Sequence, residues 1–164
     1  MRDPVVVERV EIPPGTLVSR AFERVDHADA FRARVPDGGP VDVDALARRM
    51  LTSVPGWIDG LLGARDRVVG VFGLKTEGKR IVPDRFEPGV STGLFEVFAR
   101  SDEEVLFGAD DSHLDFRLSC LMRERAVTLT TVVRFHGVRG RAYFAFVRPF
   151  HARIVPAMLR STLR

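Results

Sequence analysis

Residues 113–136 read HLDFRLSCLMRERAVTLTTVVRFH, and this stretch decides the fold. Apolar and polar side chains alternate with period two on both sides of Glu124-Arg125, which predicts a two-residue turn between antiparallel strands over 113–123 and 126–136. If Arg123 faces Ala126, the register follows. Leu114 then pairs with Phe135, Phe116 with Val133, Leu118 with Thr131, Cys120 with Leu129 and Met122 with Val127 on an apolar face. The other face pairs His113 with His136, Asp115 with Arg134, Arg117 with Val132 and Ser119 with Thr130. One core face and one wet face is what an antiparallel sheet ordinarily shows. Glu-Arg is not a preferred chemistry for a primed turn, so a longer loop or a bulge is the alternative.

Downstream, Gly137 and Gly140 break the strand and an amphipathic helix follows. At about 100° per residue from Tyr143, the residues Phe146, Ala157, Phe150, Tyr143, Ile154, Val147, Met158, Phe144 and Val155 gather on one half of the wheel. Arg141, Arg148, Arg153 and Arg160 fall outside it or at its margin. This spacing predicts Phe150 near the middle of the buried face. Pro149 and Pro156 share the arginine side, where water can satisfy the carbonyls they orphan and the helix can bend around its core.

Upstream, residues 28–35 alternate, with Phe31, Ala33 and Val35 on one face and Arg32 and Arg34 on the other, which reads as an early strand. After the break at 36–40, Asp42 or Asp44 can cap a helix whose apolar set is Val43, Leu46, Ala47, Met50, Leu51 and Val54. A second helix opens after Pro55 and carries Trp57, Ile58, Leu61, Leu62, Val68, Val69 and Phe72. Residues 74–93 show no clean period and read as a long loop at a pocket mouth, with a short strand around 80–82 as an option. Shorter strands over 94–100 and 104–107 complete the order. The expected fold is α+β, a curved antiparallel sheet gripping a long C-terminal helix, with two shorter helices after the first strand.

At 164 residues and 45% hydrophobic, the chain can bury one sizeable core, and no repeat or composition shift marks a second. We expect a single domain over 1–164, with 1–25 as an N-terminal extension and 26–164 as the core. No apolar run approaches the roughly 20 residues that span a bilayer, and the N-terminus lacks an export signal. The one cysteine, Cys120, cannot make an internal disulfide and reads as a small buried hydrophobe, so a cytoplasmic location is the default. The net charge of +3 is mild.

Three segments taken together, residues 110–117, 130–136 and 140–144, with Arg148-Pro149-Phe150-His151 and Met158-Leu159-Arg160, resemble the bacterial family known as domain of unknown function 2867. The resemblance covers most of the chain from about Asp26 onward. It implies a helix-grip fold of the START and pollen-allergen-like (SRPBCC) superfamily, whose members hold hydrophobic ligands between sheet and C-terminal helix. It implies no activity. Similar sequences also occur joined to nucleotide-binding reductase-like domains, but this chain carries no GxGxxG.

The functional reading is a cavity for an apolar or amphipathic small molecule. Phe116, Leu118, Cys120, Leu129, Thr131, Val133 and Phe135 would form its floor and Tyr143, Val147, Phe150, His151 and Ile154 its roof, with Trp57 and Phe72 closing one end. The alternative is that these side chains fill one another's space, which twelve phenylalanines against one tyrosine and one tryptophan favour. His151 is the sharpest polar candidate, as an anchor for a carboxylate, as an acid or base, or as a satisfied core histidine. The strand cluster His113, Asp115, Arg117, Arg134 and His136 holds the residue types of a metal triad. Arg134 opposite Asp115 argues against one, because a guanidinium takes the carboxylate and repels a cation, so neither metal nor other cofactor is expected. The second class is an enzyme of cyclase or hydratase type in the same cavity. The third is a basic-surface interaction protein, from six arginines and no acid over 139–164. No nucleic-acid motif is present. A homo-oligomer stays open.

Overall fold

The computed structural model describes residues 4–70 and 80–164. In chain order the elements are β1 (Glu8–Val10), a 3-10 turn (Val18–Arg20), β2 (His27–Arg34), α1 (Val43–Thr52), α2 (Gly56–Gly70), β3 (Glu96–Arg100), β4 (Glu104–Asp110), β5 (Leu114–Arg123), β6 (Ala126–Phe135) and α3 (Gly137–Leu163). The six strands form one open antiparallel sheet in the order β1-β2-β6-β5-β4-β3. With a long C-terminal helix and two shorter ones, this is the α+β architecture expected from the sequence.

The β5–β6 hairpin has the register that the alternation predicts, from Leu114 opposite Phe135 to Arg123 opposite Ala126. Glu124 and Arg125 both take positive φ, 51° and 57°, the conformation a type I′ turn demands even of residues that do not favour it. The turn is held from outside. The Arg125 carbonyl accepts the Val35 N–H at 2.8 Å, just past the end of β2.

The space over the apolar face is shared by α1, above β5 and β4, and by the second half of α3, whose Val155, Leu159 and Leu163 enter the same core. Asp42 caps α1, its carboxylate accepting the Ala45 N–H at 2.7 Å, and Val43, Leu46, Ala47, Met50 and Leu51 enter one core with Val105, Phe107, Cys120, Val127 and Leu129. Met50 and Cys120 meet sulfur to sulfur at 3.2 Å, and burial pushes the Cys120 thiol pKa up. Residues 80–93 form no strand beyond an isolated Ser91–Glu96 bridge. They insert Phe86 into the same core, its N–H donating to Asp44, which also holds Arg100.

The wet face expected from the strand pattern is covered. Leu17, Val18, Ala21 and Phe22 of the N-terminal segment pack on Leu106, Val132 and Phe98. The segment is pinned by Glu104, a buried carboxylate that accepts the Leu17 N–H at 2.6 Å, the Val18 N–H at 3.1 Å and the Ser119 hydroxyl at 2.6 Å. Residues without an apolar period can still cover a sheet when one buried acid satisfies their backbone donors.

α3 docks with a face about a quarter turn from the expected one, at about 100° per residue. Its buried residues are Gly140, Phe144, Val155, Leu159, Thr162 and Leu163. Phe150 is 40% exposed and Phe146 58% exposed, and their rings pack on each other, so the expectation of Phe150 at the centre of the buried face is corrected. Gly140 sets the rotation, since a Cβ there would run into the His113 carbonyl oxygen. Only glycine lets the helix start so close to β5.

Candidate functional site

Period-two geometry puts His27 and Asp29 on one face of β2, opposite Val133 and Thr131 of β6. That is the face under α3. Seven residues, about two turns, beyond Phe144, α3 delivers His151 to the same point. The Asp29 carboxylate oxygen Oδ2 lies 3.0 Å from His27 Nε2 and 3.1 Å from His151 Nε2, and Oδ1 lies 3.3 Å from His151 Nε2. The Asp29 side chain is only 6% exposed. Phe144 packs beside the cluster, with its ring 4.6 Å from that of His27 and 5.3 Å from that of Phe135.

A carboxylate in such a place is expensive unless something holds its charge. Burial is the strongest single influence on Asp29 and pushes its pKa up. The hydrogen bonds from His151 and His27 and their charges together outweigh burial and bring the pKa down from 3.8 to about 2. Asp29 is therefore an anion at neutral pH, and among the described residues its side chain is bonded by imidazoles alone. Thr131, directly opposite Asp29, is buried, and its hydroxyl has no hydrogen-bond partner among the described residues.

The cluster borders a pocket at His27. This pocket, of about 190 Å³, is lined by Asp26, His27, Phe135, Arg141, Phe144, Ala145 and Arg148. A neighbouring one of about 250 Å³ shares Asp26, Phe135 and Arg141 and adds Arg24, Gly137 and Val138. Asp26 is engaged, taking the Phe135 N–H at 2.7 Å and Arg24 at 3.3 Å. Arg141 and Arg148 are exposed and have no ionic or hydrogen-bond partner among the described residues.

The expected pocket residues are dispersed. Phe116, Phe135 and Tyr143 join Leu114, Val133 and Phe144 in a small core under the first half of α3, whereas Leu118 belongs to the α1 core. Val147 and Ile154 are half-buried, Trp57 is 50% exposed, and Phe72 lies outside the described residues. His151 is where the helix wheel puts it, but its Nε2 is committed to Asp29. The strand cluster divides. Asp115 takes Arg134, at 3.2 Å from Nε and 2.5 Å from Nη2, and His136 at 3.0 Å. Arg117 instead bonds Asp110 at 2.7 Å and stacks on Phe98, and His113 turns to the Ser112 hydroxyl. Sequence reasoning missed His27 and Asp29, although the alternation over 28–35, extended backward, places both on the face of Phe31.

Comparison with curated proteins and with solved structures returned no match. No helix among the described residues is long and apolar enough to cross a membrane. The family described as "Protein of unknown function (DUF2867)" matches residues 21–158, most of the length and every element that builds the cluster, and the chain belongs to that family.

Proposed function

We propose that the chain is a helix-grip protein of the START and pollen-allergen-like (SRPBCC) superfamily that binds a small amphipathic anion at the N-terminal end of α3. The observation that carries this reading is that two guanidinium groups without a partner among the described residues, Arg141 and Arg148, line one pocket with Phe135, Phe144 and Ala145. Aromatic surface rewards burial of a ring or short chain, and arginine offers a carboxylate a fork of donors. The size favours a small ligand. At about 190 Å³ the pocket is below the 300–1,000 Å³ usual for drug-sized ligands, so a single ring or short chain suits it and a long lipid does not. The side chains of α1 and of the second half of α3 fill the core over the sheet.

The test is thermal shift and calorimetry with benzoate, phenylacetate and hexanoate against their neutral amides. The acids should raise the melting temperature, by mass action on the native state, and the amides should not. Arg141→Gln and Arg148→Gln should each weaken the effect. Equal shifts from acids and amides, or none from either, would overturn the reading.

A second reading is proton-transfer catalysis of the cyclase or hydratase type, favoured by His27, which lines the pocket while hydrogen-bonded to a buried carboxylate. Deuterium exchange into the α-position of bound phenylacetate, lost in His27→Gln, would support it. Absence of exchange at full occupancy would exclude it for that substrate class.

A further inference from the structure

We propose that His27, Asp29 and His151 form a binding site for one divalent transition-metal ion of the zinc type, open to the pocket at its fourth position. This departs from the expectation of no metal, which was argued at the β5–β6 strand pair. There Arg134 occupies Asp115, whereas no guanidinium or ammonium among the described residues bonds Asp29.

The donor set is right in kind. Two imidazole nitrogens and one carboxylate oxygen make a common three-residue shell for zinc with a position left for water or substrate. It is also right in spacing. Four ligands about 2.0–2.1 Å from a tetrahedral ion lie roughly 3.3 Å from one another. The observed separations from Asp29 oxygens to the two Nε2 atoms are 3.0–3.3 Å, and all three ligand atoms lie within 4.8 Å of one another. Both imidazoles present the same nitrogen, Nε2, to one acid. An ion there would take the place of the two protons they otherwise share with it.

Two further observations favour an ion over a purely structural contact. Thr131, opposite Asp29 on the same face, has a buried hydroxyl without a partner among the described residues. A water held by the ion would be a natural partner for it. In addition, His27 belongs to the wall of the open pocket, which gives the ion a path in.

The experiment is titration of chelator-stripped full-length protein with Zn2+, followed by calorimetry and native mass spectrometry, with Co2+ absorption as a report of geometry. Zn2+ alone is the probe, so the outcome does not depend on the anion pocket. We expect one ion per chain, a rise in melting temperature and a tetrahedral Co2+ spectrum. His27→Gln and His151→Gln should each lower affinity about 10–100-fold or more, as loss of groups around a metal typically does. His113→Gln and His136→Gln, on histidines outside the cluster, should bind as the parent does. No binding, binding that survives both cluster variants, or binding lost with His113 or His136 would overturn the proposal. Circular dichroism of each variant separates loss of the site from loss of the fold, and if one cluster variant does not fold the other decides.

Discussion

Asp29 and Asp115 are acids buried on opposite faces of the same sheet, each bonded to a histidine, and they differ in the second partner. Asp115 has Arg134, whose guanidinium also lies 4.9 Å from the Phe22 ring centroid. Its countercharge is permanent. Asp29 has a second histidine brought by another element. Burial raises both pKa values, and the partners' hydrogen bonds and charges more than offset it, so both carboxyls end below the ordinary value. A guanidinium closes a site, because it cannot give up its proton. Imidazoles leave one open to protons and metals.

The largest expected effect comes from exposing one region and not the other. Phe144→Ala empties a buried site beside His27 and should cost about 3–5 kcal/mol in urea denaturation. Phe150→Ala, on the exposed side of α3, should cost less than about 1 kcal/mol. Similar losses for the two would mean that the helix docks by its other face.

Next are the acids themselves. Asp29→Asn removes the charge that two mostly buried histidines share and should cost about 1–3 kcal/mol at neutral pH. Asp115→Asn should cost less, because Arg134 is 39% exposed and keeps water and the Phe22 face when its acid is gone. The reverse order would break the contrast drawn between the two sites.

A smaller and more specific effect is the pH dependence. A carboxyl whose folded pKa is depressed stabilises the fold above its unfolded value, and that stability is lost as pH falls through the folded value. For Asp29 the window runs from about 3.8 down to about 2. The parent should lose about 2 kcal/mol more than Asp29→Asn between pH 5 and pH 2. Parallel curves for the two proteins would show that Asp29 is not held as described.

What was legible in the sequence follows from where the physics is local. The β5–β6 register could be read because the alternation on both sides of Glu124-Arg125 favours one pairing, and the longer loop or bulge left open there is excluded by the positive φ that both residues accept. A cap at Asp42 or Asp44 was legible for the same reason, and the structure assigns it to Asp42 while Asp44 holds Arg100. The rotation of α3 was not, since it depends on Gly140 meeting a carbonyl 27 residues earlier in the chain and not on the apolar count of the helix. Phe146 and Phe150 pulled the expected face toward themselves although they pack on each other. Residues 11–25 were illegible as a cover because a single distant acid, Glu104, fixes them. The site was half legible. His151 stood out on the wheel, but its partners lie at the start of a strand where a charged residue on the core face was the only sign.

The coupling between Asp29 and His151 tests the account most directly. In a double-mutant cycle of Asp29→Asn, His151→Gln and the pair, measured by urea denaturation at neutral pH without added metal, each single change should destabilise and the double should cost less than their sum. A coupling free energy of about 1–3 kcal/mol is expected for a charge-assisted hydrogen bond between mostly buried groups. Additivity within error would contradict it, and with it the claim that α3 closes a carboxylate site on β2.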